Sequence, residues 1–238
     1  MRPVLPLGVL VVVVMSWRRS RRLPNYASSG VRTWVARGVK VALVLFVSFR
    51  TADALLGRSA PDETIALAFP LHDGRFHIGE GGSTPAVNYH TVNRTQRYAL
   101  DIVKVMDWGN RASRLRPGDL RDYASYGVAV YAPCSGTVAQ VETSLPDNVV
   151  DGERNRTRPA GNQILVRCDG SDVDVLIAHL QAGSVRATKG EHIEYAKRGG
   201  APDTGLEGEG VPMTFDGRFL VRNDIVSVPC KDECQQIK

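Results

Sequence analysis

Arg97-Tyr98-Ala99-Leu100-Asp101-Ile102-Val103-Lys104-Val105 alternates in a way that predicts a β-strand over 97–105 with a carboxylate in its middle. An aspartate inside a strand is costly unless it is hydrogen-bonded, ion-paired or bound to a metal. Asp101 is therefore the first candidate for a functional site, and the fold turns on which strands surround it.

Downstream, short strands follow one another with turn residues between them. Residues 128–131 and 137–141 predict two strands separated by the turn Pro133-Cys134-Ser135-Gly136. Residues 163–167 and 173–180 predict two more, split by the hairpin dipeptide Asp169-Gly170. Another short strand is expected within 183–193, and a last apolar run at 219–221 follows the turn at Asp216-Gly217. Residues 148–161 read as an exposed loop, and 115–123 as the one short helix or turn insertion. The expected fold class is all-β, a small antiparallel β-sandwich or rolled sheet, with N-terminal membrane-anchoring helices. The chain has no glycine-rich phosphate loop and no internal repeat.

Upstream, the charge is unevenly placed. Of the net charge of +5, +9 lies in the first 52 residues, which hold no Asp or Glu, and this leaves −4 on residues 53–238. A nucleic-acid footprint would put the basic charge on the folded domain, so that partner class is set aside. Residues 4–17 and 39–49 are apolar runs, with the basic stretch Arg18-Arg19-Ser20-Arg21-Arg22 after the first and Lys40 near the start of the second. Each is shorter than the roughly 20 residues of a comfortable span. By the positive-inside rule the loop between them is cytoplasmic, which predicts a membrane-anchored chain with its domain on the extracytoplasmic side. If only the second run acts, as a signal-anchor, the orientation is the same.

The expected organisation is a membrane anchor over 1–50, a linker and entry segment over 51–87, a β domain over 88–228 and a cysteine-containing tail over 229–238. Gly79-Glu80-Gly81-Gly82-Ser83-Thr84-Pro85 carries the linker reading, and His72 and His77 are expected as solvated loop histidines.

Three segments of the body carry a family resemblance. Gly127-Val128-Ala129-Val130-Tyr131-Ala132-Pro133 with Ser135-Gly136-Thr137-Val138 resembles a hairpin of the lysostaphin- and LytM-type zinc metalloendopeptidases. Gly161-Asn162-Gln163-Ile164-Leu165-Val166 is similar to that family's next strand, and Ile177-Ala178-His179-Leu180 followed by Gly183-Ser184-Val185 and Gly190-Glu191 to its "YAHL…GSV…GD" run. The resemblance implies an antiparallel β core with a groove across it. It also implies action on peptidoglycan cross-link peptides, or regulation of other hydrolases by an inactive member that keeps the fold. Peptidoglycan peptide or an envelope protein is the partner it suggests, beside the membrane expected from the N-terminal apolar runs.

In that family a His-x-x-x-Asp motif supplies two zinc ligands, and a later His-x-His motif supplies a third ligand and a catalytic histidine. Three protein ligands leave one zinc position for water, whose pKa falls toward 7. Here Asp101 matches the motif's aspartate, as a metal ligand, and His179 matches the catalytic histidine of "YAHL". The position of the first ligand is Arg97, which has no lone pair to give and alters the site; it could instead pair with Asp101. The family's later histidine strand has no counterpart. His192 is either the last histidine of a shortened strand, and so a metal ligand, or the variable residue of the Gly190-Glu191 turn. His90 is a possible replacement ligand if the chain folds back onto Asp101. Zinc is thus the implied cofactor, with an incomplete set of donors, and the family expectation divides between an impaired peptidase and a binding module that takes no metal.

Cys134, Cys168, Cys230 and Cys234 form no Cys-x-x-Cys pair, and their even number in an exported domain suggests disulfides. Cys134 follows one predicted strand and Cys168 ends another, so a bridge between them would pin two strands together. Cys230 and Cys234 would close a small loop.

Overall fold

The structure, a computed structural model, describes residues 14–21, 30–152, 157–193 and 209–229. The chain divides into two units, Met1–Phe49 and Arg50–Lys238.

Helix α1 spans Val31–Leu56 and buries none of its residues. The expected membrane anchor finds no support in it: among the described residues no helix is long and apolar enough to cross a membrane. The reason is the spacing of its charges. Between Lys40 and Arg50 only nine residues are uncharged, a rise of roughly 14 Å against the ~30 Å of a hydrocarbon core. Membrane anchoring and the extracytoplasmic placement drawn from it are therefore unsupported. Most of the first apolar run, residues 4–13, lies outside the described residues.

Among the described residues the second unit holds nine strands: β1 (Ile65–Leu67), β2 (Gly74–Glu80), β3 (Asp101–Val105), β4 (Gly136–Glu142), β5 (Asn162–Cys168), β6 (Asp174–Leu180), β7 (His192–Ile193), β8 (Met213–Phe215) and β9 (Ile225–Val228). They form three small sheets, ordered β1-β8, β3-β2-β9 and β6-β5-β4-β7. The first is a parallel pair, and the chain also contains the long helix. The expected all-β, wholly antiparallel sandwich is thus corrected to a mixed architecture. Strands of two to seven residues separated by long loops cannot close one continuous sheet, and the partner of β1 lies almost 150 residues away. Local pattern does not reveal such a pairing.

Two apolar clusters hold the strands. One gathers Leu67, Phe69, Phe76, Ile78, Phe215, Leu220 and Val226 around the β2 sheet, with Phe69 edge-on to Phe215 at a centroid distance of 5.9 Å. The other is built from Ala132, Val138, Ile164, Val166 and Ala187 on the four-stranded sheet. Burial at these positions supplies the main stabilisation, each fully buried side chain being worth about 1.5–3 kcal/mol. Residues 65–80, expected as linker, form β1 and β2 and supply much of the first cluster. Residues 128–131 form no strand: Val130 bridges to Leu71, and Tyr131 N–H donates to Pro70 C=O at 2.8 Å. Residues 219–221 likewise bury Leu220 and Val221 without forming a strand, and the last strand among the described residues is β9.

Cys134 and Cys168 form a disulfide with their Cα atoms 5.7 Å apart. It ties the turn before β4 to the end of β5, as the strand-pinning expectation proposed. Between them β4 passes so close to β5 that a Cβ on Gly136 would lie 2.1 Å from the Arg167 carbonyl oxygen. Only glycine fits there. Cys230 and Cys234 lie outside the described residues.

Candidate functional site

Asp101 opens β3 rather than sitting in its middle, because residues 97 and 98 are in a turn. That turn is held by Asn88, which is wholly buried. Its amide Nδ2 donates toward the carbonyls of Gly82 (3.1 Å), Arg97 (3.3 Å) and Ala99 (3.1 Å), and its Oδ1 accepts the His90 N–H at 3.1 Å. The next residue is fixed too: Tyr89 N–H donates to the buried carboxylate of Glu80 at 3.1 Å, and Arg222 pairs with the other oxygen of Glu80 at 2.8 Å. The loop thereby folds His90 back onto Asp101, with Nε2 3.1 Å from Oδ1. The His90 side chain is 13% exposed and that of Asp101 44%. The fold-back considered from the sequence is present.

Arg97 does not pair with Asp101. Its guanidinium reaches Glu209 at 3.3 Å, beside Arg94, which pairs with the same carboxylate at 3.2 Å. His77, expected in a loop, lies on β2 with Nε2 3.3 Å from Asn223 Oδ1, and His72 stacks on Tyr131 at 4.6 Å.

The remaining site candidates are elsewhere. His192 lies on β7 and meets Asp169 Oδ2 at 2.8 Å. His179 lies on β6, at the opposite edge of the same sheet. Three strand spacings separate those edges, roughly 14 Å, so these two histidines do not share a metal ion. Among the described residues no three His, Cys, Asp or Glu side chains come together as a metal-holding group. The donors described do not assemble the zinc site that the resemblance implies.

His179 is nevertheless in a distinctive place. The β5–β6 register shifts between Asn162 and Ile164, so that Ala178 and His179 together stand opposite Gln163 as a bulge. At His179 the backbone φ is +62°, and its N–H donates to Ala160 C=O at 2.9 Å. A non-glycine residue in the left-handed region costs of the order of 1 kcal/mol and persists only when its surroundings impose it. Bulges of this kind re-aim a side chain beside a site. Gly161, with φ of +62°, passes directly under it, at a position where a side chain would be strained.

His179 faces a groove of about 320 Å³ whose walls include Tyr126, Val128, Asp147, Asn162 and Gln181. Asp147 organises it: Oδ1 accepts the Ala182 N–H at 2.7 Å and Oδ2 accepts the Tyr126 hydroxyl at 3.0 Å. Gln181 Nε2 donates to that same hydroxyl oxygen at 3.1 Å. Donation to the Asp147 carboxylate, with burial adding to it, holds the Tyr126 phenol above its ordinary pKa. Asn162 clamps the groove floor by exchanging hydrogen bonds with both Leu145 backbone groups, at 3.0 and 2.8 Å. The chemistry on offer is hydrogen bonding by a neutral phenol, an amide and an imidazole around a fixed carboxylate.

Sequence reasoning missed Tyr126, Asp147 and Gln181. The available signals were a tyrosine directly before Gly127 and a Pro146-Asp147 turn next to the segment taken as an exposed loop. The groove is also where the three resembling segments meet, since Gly127–Val130, Gly161–Asn162, His179–Leu180 and Ser184–Val185 all line it. No family model matches the chain, and neither a curated protein nor a solved structure matches it.

Proposed function

We propose that this chain is a peptide-binding module which resembles the lysostaphin-type peptidases in its groove and recognises peptidoglycan peptides without cleaving them. One observation carries the reading: three sequence segments that resemble that family, spread over some sixty residues, converge on a single groove around the strained His179. The metal half of the family's chemistry has no such support. Asp101 is occupied with His90, and His192 with Asp169. A carboxylate, a phenol, amides and an imidazole around an open cleft suit the polar main chain of a peptide. Impaired zinc-dependent cleavage of the same peptides is the competing expectation.

The test is calorimetric titration of the full chain with soluble stem peptides released from peptidoglycan, with and without a chelator, alongside elemental analysis for zinc. Binding that the chelator leaves unchanged, with no cleavage products, is expected. His179→Ala and Tyr126→Phe should each weaken it by about tenfold, the worth of one well-placed hydrogen bond. About one zinc per chain with chelator-sensitive cleavage would replace this reading with a zinc peptidase.

A further inference from the structure

We propose that the peptide docks by adding as an extra strand to the open edge of β6. The inference rests on the peptide-binding reading above and specifies its mode. β6 is the terminal strand of the four-stranded sheet, so among the described residues one side of its backbone meets no partner strand. Which groups face that side follows from the hairpin. Cys168 N–H donates to Val173 C=O at 3.0 Å, and the register sets Val166 against Val175 and Ile164 against Ile177. In an antiparallel ladder the hydrogen-bonded pairs recur at every second residue. Val173, Val175 and Ile177 therefore direct their N–H and C=O groups to β5, while those of Asp174 and Leu176 point away from the sheet. Among the described residues no backbone or side-chain group bonds to those of Leu176.

Sheet edges are normally protected by lysine, proline, inward-pointing charge or an early bulge. Val175-Leu176-Ile177-Ala178 has no charge and no proline. The Asp174 carboxylate is turned onto β5 by its two-pronged pair with Arg167, at 2.9 Å for both contacts. The bulge comes only at Ala178-His179, and there the chain turns into the groove, which Leu180 and Gln181 line. The edge and the cleft are consecutive parts of one strand. The ligand that fits both is an extended peptide whose main chain pairs with Leu176 and whose following residues lie beside His179 and Tyr126. Recognition of this kind reads main-chain N–H and C=O groups and tolerates varied side chains.

The experiment follows amide hydrogen exchange at Leu176 in the full chain, with and without the soluble stem peptides, and measures peptide affinity of Leu176→Pro. Proline at this position removes an outward-facing N–H and spares the pairing with β5, and Leu176→Ala, which keeps that N–H, controls for loss of the half-buried leucine side chain. The expected result is at least about tenfold slower exchange at Leu176 on adding peptide, and about tenfold weaker binding by Leu176→Pro than by Leu176→Ala. Peptide binding with unprotected Leu176 and full affinity in Leu176→Pro overturns the strand-addition mode and leaves the groove reading standing. Absence of binding by the unaltered chain overturns both. Protection of Leu176 that rises with protein concentration alone assigns the edge to a second copy and also overturns the proposal. If Leu176→Pro does not fold, exchange in the unaltered chain decides by itself.

Discussion

His90 Nε2 lies 3.1 Å from Asp101 Oδ1, although the two are eleven positions apart along the chain. The contact is made by neither residue alone. A buried amide, Asn88, fixes the loop on both sides of it, by accepting from His90 N–H and donating to the carbonyls of Arg97 and Ala99. The carboxylate that opens β3 is satisfied by a histidine, as a half-buried strand aspartate requires.

Replacing Asn88 by alanine should therefore do more than remove one polar group. It leaves several backbone groups in a buried site without their partner, at an expected cost of about 3 kcal/mol. Denaturant unfolding measures the loss. Separation of His90 from Asp101 would appear as a changed His90 imidazole signal in NMR. A loss within about 0.5 kcal/mol, with that signal unchanged, would contradict the clamp.

The Cys134–Cys168 disulfide closes a loop over a sequence separation of 34. Restricting an unfolded loop of that size is worth about 4 kcal/mol in the chain-entropy account. The double Cys134→Ser, Cys168→Ser variant should lose about that much in chemical denaturation. Both sulfurs sit against apolar neighbours, so part of the loss would come from packing.

Tyr126 gives a pH signature for the groove. Its phenol pKa is raised because the hydroxyl donates to Asp147. The folded value therefore lies above the unfolded value of about 10, so the stabilisation is fully present below about pH 10 and is lost as pH climbs through the higher folded value. Phenolate absorbance during alkaline titration should show one tyrosine ionising late. Asp147→Asn should move that tyrosine back toward its ordinary value. Late ionisation that persists in Asp147→Asn would place the cause elsewhere.

Arg97 occupies the position where the resembling family has a metal-binding histidine, yet its partner is Glu209 at 3.3 Å, in an exposed pair. Exposed pairs contribute roughly 0–1 kcal/mol. Arg97→Ala should accordingly change stability by less than about 1 kcal/mol and leave the His90–Asp101 contact intact by NMR. A large loss would mean that the stem of Arg97, packed near Gly210 and Tyr98, matters more than its charge.

The strands at Gly136–Glu142, Asn162–Cys168 and Asp174–Leu180, the hairpin between the last two and the disulfide at their base were all legible from local pattern. Alternation, turn dipeptides and cysteine placement are short-range signals, and these strands pair with their sequence neighbours. Asp101 could be singled out because a carboxylate within a strand pattern demands an explanation, and His179 because it falls in a segment that resembles the family's "YAHL" run. The partners of Asp101 were not determined in the same way. Whether it meets Arg97 or His90 depends on where a buried Asn88 bends the intervening loop. The long-range pairing of β1 with β8 and the placing of His179 and His192 on opposite sheet edges were equally invisible, since both are set by contacts across much of the chain. The apolar run in α1 looked like part of a membrane span, but an uncharged stretch between Lys40 and Arg50 is a matter of length in a helix, and 1.5 Å per residue makes it too short. Local pattern determined β4, β5 and β6 and singled out Asp101, but not β1, β2, β8 or β9, nor Tyr126, Asp147 and Gln181. Tertiary structure decided which of those residues meet, because side-chain partners are chosen by burial and loop closure, which no local window of sequence contains.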